Sequence, residues 1–268
     1  MNVVEQKEEV VRPLQLTDGE VRFYQDEGYL VIPGLIDPGK LEALRGEVLD
    51  VMLACGATPE RLKKSTNSSK DKLIQSHQYL VNSALDNLIN SDNLRGIAEQ
   101  LMSGAASLYL PFSAVKSGGG GGIFHFHQDN QYTRFDGPGI NLWCALVDMT
   151  PENGCLQVAP RTHLQGTLDS VKSSDGDNHR MVAQEPDRFL PVRMHAGDCI
   201  AFSRLTIHGS GPNHTDEPRI AYAVQYHRDD VNRLTEDGPK LLKNFPVYTD
   251  IGPKQQLVMP TEKSRDGH

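Results

Sequence analysis

Phe124-His125-Phe126-His127-Gln128-Asp129 is an alternating run that ends in an imidazole and a carboxylate two positions apart. In an extended strand, residues i and i+2 leave the same face, so His127 and Asp129 are expected side by side. With one distant histidine they make a 2-His-1-carboxylate set, which holds iron(II) on one side and leaves the opposite positions open. His125 shares the face, but no carboxylate follows it two positions later. His127 is therefore the expected ligand, and His125 a neighbour that packs or hydrogen-bonds.

The distal ligand has several candidates: His163, His179, His195, His214 and His227 as well as His208. His208 is preferred because it follows the apolar strand pattern Cys199 to Phe202. It also opens His208-Gly209-Ser210-Gly211-Pro212-Asn213, where glycines let backbone and ligand approach closely. Eleven positions on, Arg219 begins the strand-like run Arg219-Ile220-Ala221-Tyr222-Ala223-Val224. A guanidinium there can grip a carboxylate at two points beside a metal. An arginine set in an apolar strand also needs a buried partner. His127, Asp129, His208 and Arg219 together suggest iron(II) and 2-oxoglutarate chemistry.

Around this run the texture is that of a β domain. Short apolar or β-branched runs separated by turns predict strands at Ser107 to Val115, Ile123 to His127, Ile140 to Val147, Leu156 to Ala159, Phe189 to Met194, Asp198 to Phe202 and Arg219 to Tyr226. Many short strands with turn signals indicate a sandwich, barrel or jelly roll. Upstream the pattern is helical. Thr17 caps a run to Glu27, a short strand spans Gly28 to Pro33, and Asp37-Pro38 opens a second helix carrying Leu41, Leu44, Val48 and Val51. Helical spacing returns around Asp71 to Leu85 and Asp92 to Met102. The polar stretch Thr167 to Arg188 lacks periodicity and reads as a long insertion, either an active-site lid or a surface loop. The pentaglycine Gly118 to Gly122 lacks a following Lys-Ser/Thr and a helix start, so it reads as a flexible connector between strands rather than a phosphate cradle.

At 268 residues with no marked boundary, the chain is expected to form one domain: a helical part over about 15–104, a β core over about 105–230 and a C-terminal extension over 231–268. A net charge of -8 argues against a nucleic-acid partner. The short basic clusters Arg61 to Lys64 and Lys70 to Lys72 read as solvated loop. Cys55, Cys144, Cys155 and Cys199 form no Cys-x-x-Cys pair and read as reduced core thiols. No apolar run approaches the length of a membrane helix, the polar N-terminus carries no signal segment, and a cytoplasmic location is expected.

The sequence resembles the phytanoyl-CoA dioxygenase family over most of its length. The likeness begins at Tyr24-Gln25-Asp26-Glu27-Gly28-Tyr29-Leu30-Val31-Ile32-Pro33-Gly34 and passes through His127-Gln128-Asp129-Asn130 and Leu142 to Thr150. It continues with Glu152 to His163, Gly197-Asp198 and the stretch from His208 to Arg219. The resemblance implies a mainly β protein, a double-stranded β-helix (jelly-roll, cupin-like) core flanked by N-terminal α-helices. It implies iron(II) on His127, Asp129 and His208, with 2-oxoglutarate and oxygen as co-substrates. Arg219 and Ser210 would meet the far carboxylate of 2-oxoglutarate, and Gln128 and Trp143 would line its pocket. Strand alternation points Gln128 away from the metal, so that last assignment requires the strand to bend or end there. Asp198 is expected to be a turn residue rather than a second metal ligand. Related halogenases have a small residue at the carboxylate position, and Asp129 fills it, so the resemblance favours hydroxylation or another oxidative outcome over halogenation.

Asn130, Gln131, Tyr132 and Arg134, beside the metal strand, are the candidate contacts to a small polar metabolite or natural-product intermediate. They could equally shape the following turn. A zinc hydrolase on a cupin-like barrel competes with the oxygenase, since the same three ligands hold zinc. A non-catalytic binding module is the third class. Neither accounts for Arg219.

Overall fold

The computed structural model describes residues 9–64, 73–76, 79–173 and 179–242. Its helices are α1 (Asp18–Glu27), α2 (Leu41–Ala54), α3 (Pro59–Lys63), α4 (Ala84–Ile89) and α5 (Asp92–Met102). Its strands are β1 (Tyr29–Ile32), β2 (Leu73–Ser76), β3 (Ala106–Lys116), β4 (Phe124–His127), β5 (Gly139–Ala145), β6 (Gln157–Val158) and β7 (Ser170–Lys172). They continue with β8 (Arg180–Val182), β9 (Leu190–Pro191), β10 (Cys199–Ser203), β11 (His208–Ser210), β12 (Arg219–Arg228), β13 (Asn232–Thr235) and β14 (Gly238–Leu241).

Two antiparallel sheets make the jelly-roll core. The larger has six strands in the order β1-β10-β5-β12-β3-β2, and the smaller has four in the order β4-β11-β6-β9. Both faces of the large sheet are covered, so its central strands read as unbroken apolar runs. Alternation sorts their side chains. Ile140, Leu142, Cys144, Ile220, Tyr222, Val224 and Tyr226 join the helices' Leu44, Val48, Ile97 and Leu101 in the main core. Trp143, Ala145, Ile200, Phe202, Ala221 and Ala223 face inward and meet Leu156, Val158, Val192 and Met194. That inner face also carries the polar positions of interest: Asn141, Trp143, Arg219 and Gln225 lie at odd positions of β5 and β12.

Local signals start and stop α1 and α5 where the sequence places them. Thr17 and Glu20 form a reciprocal capping box at the start of α1. Gly28 ends it with a φ of 82°, and a Cβ there would sit 2.4 Å from the ring of His163. Only glycine fits that corner, which delivers the chain directly into β1. Ser91 caps α5, whose Leu94, Ile97, Ala98, Leu101 and Met102 are all buried.

Two expectations are corrected. The run around Asp71 to Leu85 is not one helix: Leu73–Ser76 is β2, paired with β3 at the sheet edge, and α4 begins only at Ala84. Asp71 and Lys72 lie outside the described residues, as do Lys70 and the C-terminal extension beyond Leu242. The stretch Thr167 to Arg188 is not without structure. Ser170–Lys172 pairs with Arg180–Val182 as an antiparallel hairpin, Val182 is buried, and residues 174–178 lie outside the description. The pentaglycine does connect β3 to β4, but its backbone is bonded rather than loose. Gly118 donates to Lys63, Gly119 to Thr215 and Gly120 to Asn213, while Asn213 donates back to Gly121. Among the described residues no helix is long and apolar enough to cross a membrane.

Candidate active site

β4 and β11 are neighbours, with His127 directly opposite His208. Directly paired residues project from the same face of a sheet, and the two imidazole centroids are 4.3 Å apart. β4 ends at His127, and Asp129 is the first residue of a short 3-10 turn, Asp129–Gln131. The carboxylate still arrives at the imidazoles: its Oδ1 lies 3.9 Å from His127 Nε2 and 3.7 Å from His208 Nε2. The three side chains offer ligand atoms that all lie within 4.8 Å of one another, the one such group among the described residues.

The surroundings prepare these donors for a metal. His127 Nδ1 bonds the carbonyl of His125 at 2.8 Å, and His208 Nδ1 bonds that of Thr206 at 2.9 Å. A carbonyl only accepts, so each Nδ1 must carry the proton and each Nε2 presents its lone pair. Asp129 Oδ2 accepts from Gln225 Nε2 at 2.9 Å and from Asn141 Nδ2 at 3.4 Å, which turns Oδ1 toward the imidazoles. Two neutral nitrogens and one carboxylate oxygen fit a divalent transition ion.

Arg219 occupies the inner face of the large sheet, 3 % exposed, with its guanidinium 5.0 Å from the centre of the Trp143 ring. Burial draws its pKa down to about 10. Its Nε has no hydrogen-bond partner, and no carboxylate pairs with it among the described residues. Lys116 lies directly across the β12–β3 ladder from Arg219 and donates to the carbonyls of Ser210 and Gly211. That contact ties the end of β11, with buried Ser210, to the arginine's end of the sheet.

The other expected residues divide sharply. Gln128 is fully buried and faces away from the metal ligands: its amide donates to Gly166 O at 2.9 Å and Leu205 O at 2.7 Å, and accepts from Leu168 N. Asn130 bonds Thr167 Oγ1 and the backbone of Phe135, and Gln131 bonds the carbonyls of Leu168 and Asp169. These three amides hold the chain from Gly166 to Asp169 and its entry into β7. Tyr132, 44 % exposed, lies edge-on to His127 at 5.7 Å between ring centres, and its hydroxyl meets His179 Nδ1. Arg134 is exposed. Asp198 is a turn residue, accepting from Gly34 N and His195 N.

Of the competing histidines, only His179 comes near the site. Its ring centre is 4.6 Å from that of His127, outside the three-residue ligand group. His163 bonds the carbonyl of Gln25, and His227 faces Tyr109 and Phe135 behind the site. Asn141, Gln225 and Arg204 were not anticipated. Asn141 and Gln225 are polar residues inside apolar strands, the same signal that singles out Arg219.

Three comparisons with known proteins accord with this geometry. The profile of the family Phytanoyl-CoA dioxygenase (PhyH) matches residues 24–221. A methylphosphonate hydroxylase from Gimesia maris is 29% identical over 215 residues, covering 79% of this chain and 81% of the relative. Among solved structures, EvdO2 from Micromonospora carbonacea var. aurantiaca superposes with a TM-score of 0.67 at 21% identity, covering 88% of this chain and 96% of that one. The epimerase SnoN, in complex with Fe3+, alpha ketoglutarate and nogalamycin RO, gives a TM-score of 0.66 at 22% identity over 87% of this chain and 95% of its own. At such identities the structural likeness concerns the fold.

Proposed function

The chain belongs to the phytanoyl-CoA dioxygenase family, and from that premise we propose that this dioxygenase uses iron(II) and 2-oxoglutarate to hydroxylate an unactivated carbon of a small polar metabolite or natural-product intermediate. One observation carries the reading: the same chain holds a His-Asp-His triad able to take a metal and a buried arginine with no carboxylate partner among the described residues. His127, Asp129 and His208 would hold the iron, which when bound supplies oxygen activation coupled to decarboxylation of 2-oxoglutarate to succinate. The remaining tasks fall to the chain. Arg219 neutralises the distal carboxylate of 2-oxoglutarate, Ser210 donates a hydroxyl to it, and Trp143 closes the wall behind the guanidinium. The apolar inner faces exclude water from the reacting groups.

Substrate contacts fall to residues on the segment that follows Asp129. Tyr132 and exposed Arg134 suit that role, whereas Asn130, Gln131 and Gln128 act indirectly by seating the 166–169 segment. A hydroxylase and an epimerase both occur among the similar proteins; the retained carboxylate of Asp129 argues against halogenation, and we assign hydroxylation as the outcome to be tested. The four free thiols support a cytosolic setting. A zinc hydrolase would use the same triad but leaves Arg219 a buried cation without purpose. Succinate formation from 2-oxoglutarate, dependent on iron(II) and oxygen, tests the reading. Its absence across a metabolite screen, with zinc-dependent hydrolysis in its place, would reverse it.

A further inference from the structure

Asp129 is gripped from behind by a chain of buried polar groups. Its Oδ2 accepts from Gln225 Nε2 at 2.9 Å, and Gln225 Oε1 in turn accepts from Arg204 Nη1 at 2.9 Å. That second bond decides which way the Gln225 amide faces, because a guanidinium can only donate. The amide hydrogens must then point at Asp129. Arg204 Nη2 donates to the backbone carbonyls of Asp129 at 3.1 Å and Thr133 at 3.2 Å. The guanidinium carbon lies 4.1 Å from the ring centre of Phe135 and 4.9 Å from that of Tyr109. Arg204 and Gln225 are each 3 % exposed and Asn141 is 1 % exposed. No carboxylate pairs directly with Arg204 among the described residues. The carboxylate its charge reaches is that of Asp129, one amide away.

We propose that Arg204, Gln225 and Asn141 form a positioning relay that makes Asp129 a single-oxygen ligand. The inference rests on the metal-centre reading above. Donors on Oδ2 occupy its lone pairs, so Asp129 engages a metal through Oδ1 alone and does not chelate through both oxygens. A carboxylate that chelates uses two positions on the metal, and a single-oxygen ligand leaves one more for incoming ligands. Arg204 orients the amide and polarises it, and because the same guanidinium holds the Asp129 carbonyl, both the backbone and the side chain of the ligand are fixed by one residue.

The test uses Co(II), which does not need reducing conditions and reports its coordination in the visible spectrum. It is titrated into the metal-stripped full chain as wild type, Gln225→Leu, Arg204→Met and the double variant. Gln225→Leu and Arg204→Met should each weaken Co(II) binding by roughly 10–100-fold and alter the visible band. The double variant should be no weaker than the weaker single one, because both break the same link. Gln225→Leu leaves Arg204 its two carbonyls, so it keeps the test decisive even where Arg204→Met fails to fold. Wild-type affinity and an unchanged band in Gln225→Leu would overturn the relay while leaving the triad intact. A wild-type chain that bound no Co(II) would overturn the metal-centre reading and the relay with it.

Discussion

Two buried arginines flank the interior of this protein, and they live in opposite circumstances. Arg204 donates to Gln225, Asp129 and Thr133 and lies against two aromatic rings, Phe135 and Tyr109. Arg219 is just as buried, rests on Trp143, and has no carboxylate to meet among the described residues. A buried charge costs several kcal/mol unless partners offset it. Arg204 has its partners within the fold and so serves to position. Arg219 has no carboxylate partner among the described residues, and this is why we assign it to an anion that arrives from outside. Satisfaction within the chain thus separates groups that build the site from groups that use it.

The largest expected effect lies at the triad, the point between the two arginines in function. His127→Ala, His208→Ala and Asp129→Ala should each reduce iron-dependent succinate formation to background. Near-normal turnover in any of them would remove that residue from the ligand set. Asp129→Gly leaves both imidazoles and should lose hydroxylation even where iron still binds.

Next comes Arg219 itself. Arg219→Ala should raise the Michaelis constant for 2-oxoglutarate by roughly 100-fold or more, as loss of a buried charge-assisted pair implies. Iron affinity without co-substrate should stay close to wild type. Arg219→Lys should recover part of the loss, since an ammonium cannot make the planar two-point contact. Normal use of 2-oxoglutarate by Arg219→Ala would mean that another basic residue binds it.

The contrast between the arginines is sharpest in stability without ligands. Arg219→Met replaces an unpaired buried cation by an apolar chain of similar length and should stabilise the apoprotein by about 1–3 kcal/mol. Arg204→Met strands the Gln225 amide and two carbonyls, and should destabilise it by about 2–4 kcal/mol. Urea midpoints for the pair would settle the matter: equal losses in both would end the distinction.

The smallest effect concerns His227, on the inner face beyond Gln225. Burial lowers its pKa below the ordinary 6.5, outweighing its bond to the Arg228 carbonyl. The unfolded chain therefore takes up the proton first, and the stability contributed by neutral His227 is lost as the pH falls through 6.5 toward the lower folded value. The melting temperature of wild type should decline more steeply over that acid range than that of His227→Gln. Parallel curves would show that the ring is not held neutral by the fold.

Much of this was legible in the sequence because apolar runs and spacing carried it. Unbroken apolar runs exposed the long strands around Leu142 and Ala223, and spacing placed His127 beside Asp129, although the strand stops between them and a 3-10 turn completes the approach. β2 was hidden because Leu73-Ile74-Gln75-Ser76 has no alternation of its own; its conformation comes from pairing with β3, distant in sequence. The hairpin within 167–188 was hidden for the same reason. The Arg204–Gln225 link and the Asn141 bond to Asp129 are hidden for a different reason. A polar residue in an apolar strand is the signal at both Arg219 and Gln225, but the partner of Gln225, Arg204, lies in a turn that no periodicity marks.

The five glycines from Gly118 to Gly122 have a consequence for inheritance. In an ordinary linker the gain or loss of one glycine passes unseen. Here a Cβ at Gly118 would meet the Thr215 carbonyl at 2.6 Å and one at Gly121 the Ser117 carbonyl at 2.2 Å, and three successive amides bond partners outside the run. The run therefore behaves as a measured length of chain between β3 and the strand bearing His127. The gain or loss of one glycine there would move His127 relative to His208, its partner across β4 and β11, so this repetitive stretch should be among the least forgiving to a change of length in descendants of this chain.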